Sequence, residues 1–213
     1  MKPIGLIAAI GLFALGSPAH AERFEPRNEC ADFEDAEAFR MALATAVANR
    51  DEAMLEPLVD SEILLDFGGG SGWETMRERL TSDDYRLWAE LDKILRLGCA
   101  IEEDGGMMAL PWYWTQDLGL EDPFSTMLVV GFDVPLRQGR APDSPLLDRI
   151  SWQAVTLLDD WTDNPEALVH VQFPSGRKGY IAWKNLRSQV DYRLLAEKDE
   201  DGTYRITTFV AGD

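Results

Sequence analysis

The residues best suited to chemistry are aromatic and basic side chains that follow one another closely near the C-terminus. The set comprises Arg177, Lys178, Tyr180, Trp183 and Lys184. Aromatic rings offer a large apolar contact surface, and basic groups at their rim add charge-assisted hydrogen bonds. Such a set is typical of a groove that binds a glycan or an acidic peptide. The structural alternative is that Trp152 and Ile181 fill a core while Trp112 and Trp114 support a contact between domains.

Catalytic and metal chemistry are poorly represented in the chain. His170 is the only histidine after residue 21, and no G-x-S-x-G motif accompanies it. We therefore interpret His170 as a surface residue of a strand and not as the base of a catalytic triad. Zinc would need several His or Cys ligands. Adjacent carboxylates are expected by chance among 38 acidic residues. The sequence predicts no enzyme activity, no metal and no cofactor.

The first 21 residues have the organisation of a secretory signal peptide. Lys2 precedes an apolar run from Ile4 to Leu15, and Ala19-His20-Ala21 supplies a cleavage site of small residues. The apolar run is well short of the ~20 residues that span a bilayer. We predict cleavage before Glu22, a periplasmic or secreted protein, and no membrane span after cleavage.

Two cysteines, Cys30 and Cys99, follow the predicted signal peptide. An oxidising compartment favours one disulfide between them. A redox pair would instead require a short C-x-x-C spacing, which is missing here. The sequence therefore predicts a structural Cys30–Cys99 bridge.

The net charge of −18 is distributed unevenly along the chain. Acidic residues greatly outnumber basic ones from 22 to 126, whereas residues 127–190 hold equal numbers of both. This change of composition predicts a domain boundary near residue 126. It also argues against nucleic acid as a partner, because phosphate binding requires a basic surface.

Hydrophobic periodicity predicts an α+β fold for the N-terminal portion. Apolar residues at helical spacing predict helices over 33–49 and 87–95, with shorter helical stretches after Asp51 and over 73–80. Strands are predicted at 63–67 and, as an irregular or edge strand, at 107–114. The segment 117–124 is predicted to be the linker to the next domain.

Residues 176–188, read as GRKGYIAWKNLRS, resemble the closing strands of a bacterial Src-homology-3-like barrel. Residues 130–137 are similar to its opening strand, 141–145 to the loop after it, and 150–155 and 168–173 to two further strands. The resemblance implies a closed antiparallel barrel over 127–189 with Val169, Val171 and Ile181 buried. It also implies a binding or assembly module, because such domains bind peptides or cell-wall polymers or pack against a neighbour.

The last residues form a predicted hairpin of strands 191–196 and 203–210 around Asp199-Glu200-Asp201-Gly202. This hairpin resembles the terminal strands of cone-shaped α+β domains of the nuclear-transport-factor-like kind. The resemblance implies that residues 190–213 return to the domain of residues 22–126, with its helices and small antiparallel sheet. Ile206 or Phe209 would then contact Phe39 or Trp88. The alternative is that the hairpin packs on the edge of the barrel.

These features predict a non-enzymatic binding or assembly module of the cell envelope. Its partner would be a cell-wall polymer or an envelope protein. The alternative is a small-ligand binder or an enzyme that uses a pocket in the cone-shaped domain, lined by Phe39, Leu65, Trp88 and Phe209.

Overall fold

A computed structural model of the chain describes residues 22–212, whose helices and strands form an α+β fold with two sheets. The helices are α1 (Glu34–Asn49), α2 (Glu52–Leu55), α3 (Trp73–Thr81) and α4 (Leu87–Leu95). The strands are β1 (Val59–Leu64), β2 (Ala100–Ile101), β3 (Met107–Leu110), β4 (Thr126–Val129), β5 (Val134–Arg137), β6 (Leu146–Ile150), β7 (Ala154–Leu157), β8 (Leu168–Gln172), β9 (Lys178–Ala182), β10 (Leu186–Ser188), β11 (Arg193–Lys198) and β12 (Tyr204–Val210). The predicted signal peptide lies outside the described residues.

The first sheet has the strand order β1-β12-β11-β3-β2. The C-terminal hairpin β11–β12 thus lies between β1 and β3, and its side chains contact the helices. The rings of Tyr204 and Phe39 lie 5.8 Å apart, and Ile206, Phe209 and Trp88 belong to the same buried cluster. The expected antiparallel sheet is wrong in one respect, because β1 runs parallel to β12. A parallel pair requires a long crossover, and the rest of the chain between β1 and β12 supplies it.

Helices α1, α3 and α4 bury apolar side chains against the first sheet. In α4, Leu87, Leu91 and Ile94 recur at helical spacing and are almost fully buried. Gly98 follows α4 with φ of +83°, and a Cβ there would come within 2.2 Å of the Arg27 carbonyl oxygen. Only glycine therefore allows the N-terminal segment to pass so close to the end of α4.

Two predicted strands differ from the observed ones at their ends. The strand expected at 63–67 begins at Val59 and ends at Leu64. The prediction missed the first half of the strand because its central residues are polar. The strand ends before Asp66, which turns the chain by accepting hydrogen bonds from Gly68 N (2.7 Å) and Gly70 N (2.9 Å). The strand expected at 107–114 ends at Leu110, because Trp112–Thr115 form a 3-10 turn.

Cys30 and Cys99 form the predicted disulfide, with their Cα atoms 5.8 Å apart. The bond ties the N-terminal segment to the start of β2. Backbone pairing continues beside it, because Glu29 N donates to Cys99 O (2.9 Å) and Cys99 N donates to Arg27 O (2.8 Å). The disulfide and these hydrogen bonds thus fix the N-terminal segment to a strand that begins about 69 residues later in the sequence.

The second sheet has the strand order β10-β4-β7-β8-β9-β5-β6. It curls around one core, in which Val169, Val171 and Ile181 are buried together with residues of every other strand except β10. The expected closed barrel is not confirmed, because β6 and β10 remain unpaired edges within residues 22–212. The reason is visible at β6, where residues 146–149 are exposed and only Ile150 reaches the core. Strand β10 pairs with β4 and leads away into the C-terminal hairpin.

We refer to the helices with the first sheet as the first unit and to the second sheet as the second unit. A third buried cluster joins them, with Phe24, Trp112, Tyr113, Leu128 and Trp152 each at most 7% exposed. Phe24 N also donates to Trp152 O (2.7 Å). This apolar contact fixes the orientation of one unit on the other.

Candidate functional site

The five predicted binding residues are spread along the whole of β9. Arg177 and Lys178 lie at its start, whereas Trp183 and Lys184 follow its end. A five-residue strand is about 17 Å long, so the two ends cannot contact one small ligand together. Tyr180 lies midway and points to the same side as Lys178, because side chains alternate along a strand.

Arg177 and Tyr180 are engaged in contacts within the second unit. Arg177 forms an ion pair with Asp148 and its guanidinium lies 4.6 Å from the centroid of the Phe173 ring. The Tyr180 ring stacks on His170, with centroids 4.8 Å apart and planes at 12°. Such contacts stabilise the outer face of the sheet, and Lys178 is simply exposed beside them.

Trp183 and Lys184 lie in a cleft of about 660 Å³ between α4 and the second unit, which we call the tryptophan cleft. Its aromatic and charged lining residues are Lys93, Arg96, Trp161, Asp163, Trp183, Lys184, Arg187 and Asp191. The two units therefore share the cleft, with α4 on one side and the segments around Trp161 and Trp183 on the other.

Trp161 is the most exposed aromatic side chain of the cleft. Its relative exposure is 59%. The ring packs edge-on against Trp183, with centroids 5.3 Å apart and planes at 68°. Trp183 is itself packed against the core of the second unit. A fixed tryptophan thus supports an accessible one, which favours binding at low entropic cost.

The basic side chains of the cleft are all partnered by carboxylates. The ion pairs are Lys93–Glu90 (2.7 Å), Arg96–Asp92 (2.8 Å), Lys184–Glu166 (2.7 Å) and Arg187–Asp191 (3.2 Å). The cleft consequently presents both hydrogen-bond donors and acceptors at its rim and carries no large excess of positive charge. The sequence predicted basic groups at the rim of an aromatic groove, and in the cleft each such group lies beside a carboxylate.

Arg187 forms the floor of the cleft and is only 7% exposed. One terminal nitrogen donates to Tyr192 O (3.1 Å), whereas Nε is buried with no protein acceptor among the described residues. The neighbouring Tyr113 hydroxyl donates to Ser188 O (3.2 Å). Burial raises the pKa of Tyr113 to about 12, because the phenolate would lose its hydration, although the Arg187 charge opposes the shift.

Sequence reasoning missed Lys93 and Arg96, which α4 brings to the cleft. They lie three residues apart on the polar side of a helix whose other side is apolar. That spacing shows that the two side chains share one face of the helix. Only the packing of the two units shows that this face lies opposite Trp161 and Trp183. In the sequence, Trp161 belongs to the same aromatic and basic region as Tyr180 and Trp183, but it was not one of the five predicted binding residues.

The residues of the alternative pocket, Phe39, Leu65, Trp88 and Phe209, all belong to the core of the first unit. Their relative exposures are at most 7%. These side chains pack within one buried cluster. Trp88 also borders a surface depression of about 450 Å³ together with Arg50 and Arg86.

Comparisons of the chain with models of known protein families, with curated proteins and with solved structures find no match. Among residues 22–212, His, Cys, Asp and Glu side chains form no group of three or more that could hold a metal ion. Within the same residues, no helix combines the length and the apolar character needed to cross a membrane.

Proposed function

We propose that the protein is a non-catalytic binding module of the cell envelope that holds a glycan polymer in the tryptophan cleft. The observation that carries this proposal is the exposed Trp161 ring supported by Trp183. An exposed indole offers a flat apolar surface, and its N–H remains available to a polar ligand. A sugar ring has a matching apolar face and a polar edge.

The charges around the cleft favour a glycan over an acidic peptide. Lys184 and Glu166, for example, present a cation and a carboxylate side by side. Hydroxyl groups both donate and accept hydrogen bonds, so a polyhydroxylated ligand can use both members of such a pair. An acidic peptide would be repelled by the same carboxylates. We therefore expect added salt to weaken binding only slightly.

One further observation and two sequence-based predictions support a surface binding site. The side chains expected to line an internal pocket, such as Phe39 and Phe209, are packed in the core of the first unit. The resemblance of residues 176–188 to Src-homology-3-like domains implies recognition of peptides or cell-wall polymers. Export, which the first 21 residues predict, would place the protein where such a polymer occurs.

The test is co-sedimentation of the mature protein with purified peptidoglycan. Replacing Trp161 by alanine removes the exposed ring and should weaken binding about tenfold, as for a dominant contact residue. Thermal unfolding should be nearly unchanged, because a side chain 59% exposed contributes little to the core.

Phe124→Ala is the matched control, because Phe124 is 56% exposed and does not line the cleft. It should leave binding unchanged. Equal retention of wild type and Trp161→Ala would contradict the proposal, as would equal losses in the two variants. Failure of the wild type to sediment with peptidoglycan would also contradict it.

A further inference from the structure

A second groove, of about 310 Å³, lies on the outer face of the second unit. Its floor is a row of aliphatic side chains from three adjacent strands. Leu168 of β8 pairs with Ala182 of β9, Arg137 of β5 pairs with Tyr180 of β9, and Pro135 of β5 lines the groove together with Leu168 and Ala182. We call this the outer groove.

The outer groove and the tryptophan cleft meet at one residue. Lys184 lines both, and its ammonium group contacts both carboxylate oxygens of Glu166 at 2.7 and 2.8 Å. Both side chains of the Lys184–Glu166 pair are exposed, and Lys184 lies where the two depressions adjoin. A chain that occupies the cleft can therefore pass Lys184 into the outer groove.

The rim of the outer groove has the same character as that of the cleft. Arg137, Glu166, Lys184 and Asn185 surround the aliphatic floor with both donors and acceptors. These features suit a further stretch of the same polyhydroxylated chain.

We infer that the outer groove is a second subsite for a linear glycan, so that the ligand is an extended polymer and not a single sugar unit. This inference rests on the proposed function of the tryptophan cleft. Contacts at two joined subsites add within one ligand, because occupation of the first holds the chain close to the second. A longer glycan should therefore bind more tightly than a short one.

The experiment compares disaccharide and hexasaccharide glycan fragments released from purified peptidoglycan, with binding measured by calorimetry. The hexasaccharide should bind the wild type about tenfold more tightly than the disaccharide. Ala182→Phe fills the outer groove without reaching the tryptophan cleft. It should reduce hexasaccharide affinity to that of the disaccharide and leave the disaccharide affinity unchanged.

Gln172→Phe is the control, because it adds the same ring to the same face of the neighbouring strand β8 but lies outside both depressions. It should change neither affinity, and near-ultraviolet circular dichroism verifies that both variants are folded. Analytical ultracentrifugation should show the same oligomeric state for the wild type and for Ala182→Phe.

Equal affinities of the two fragments for the wild type would overturn the inference, as would full hexasaccharide affinity in Ala182→Phe. A dimer that is lost in Ala182→Phe would also overturn it, since a second copy would then cover the groove. In these cases Trp161-dependent binding to intact peptidoglycan can persist, and the proposed function stands. Absence of wild-type binding to both fragments and to intact peptidoglycan would instead contradict the proposed function.

Discussion

The first unit covers a face of its sheet with helices, whereas the second unit has no α-helix between residues 126 and 188. In the first unit, Leu43 of α1 and Phe209 of β12 are fully buried in the core between helices and sheet. In the second unit the sheet curls around its own core and leaves its outer side chains open. The outer groove is lined by residues of the second unit, and the tryptophan cleft by residues of the second unit together with α4.

The two units also differ in how they are held together. The first has the disulfide and a core that includes side chains from α1, α3 and α4. The second relies on strand pairing and one compact cluster. The tryptophan cleft lies between them, so its shape depends on the buried contact that includes Phe24 and Trp152. This comparison leads to three predictions. They test the stability of the first unit, the cooperativity of both units, and the contact between them.

Removal of the disulfide should have the largest effect on stability. Cys30→Ala/Cys99→Ala should lower the free energy of unfolding by about 4 kcal/mol, because the unfolded chain regains the entropy of a long closed loop. Urea unfolding followed by circular dichroism measures the loss. Wild type unfolded in the presence of a reductant is the control and should resemble the variant. A loss below about 1 kcal/mol would show that the first unit does not depend on this bridge.

A matched pair of core substitutions tests whether the two units unfold together. Ile206 in the first unit and Ile181 in the second are both fully buried. Replacement of either by alanine should cost about 3 kcal/mol, from lost apolar burial and the cavity left behind. The buried contact between the units predicts a single transition that both variants shift equally. Two transitions, each sensitive to one variant only, would show that the units are independent.

The smallest expected effect concerns Tyr113 in the contact between the units. Its pKa is raised to about 12 from the usual value of 10.0 for a tyrosine, because burial disfavours the phenolate. The unfolded protein therefore loses this proton first as the pH rises. The stability that the neutral phenol contributes is complete below pH 10 and is lost as the pH approaches about 12.

Tyr113→Phe should accordingly show a shallower loss of stability over that pH interval than the wild type. At neutral pH it should be about 1 kcal/mol less stable, because the hydrogen bond to Ser188 O is gone. Tyr192 and Tyr204 titrate in both proteins, so the difference between the two curves isolates Tyr113. If the stability of the wild type and of Tyr113→Phe fell equally with pH above pH 10, the phenol would be hydrated in the folded protein.

Local sequence signals were informative wherever one element decides its own structure. The apolar spacing over 87–95 indicated a helix, and α4 is observed over Leu87–Leu95. The predicted start of β1 lay after the observed start at Val59. The reason is that its central residues are polar and its partner β12 lies at the other end of the chain. The pairing of a strand depends on residues that its own sequence does not contain.

The sequence by itself determined the residue types of the site: a set of tryptophans and basic groups near the C-terminus, and two cysteines suited to one bridge. Only the tertiary structure decided which of them meet. It separates Arg177 from Lys184 along β9 and brings Trp161 against Trp183. It also places Lys93 of α4 across the cleft. The reason is physical, because side-chain periodicity fixes which face of an element is apolar, whereas long-range packing fixes what that face opposes.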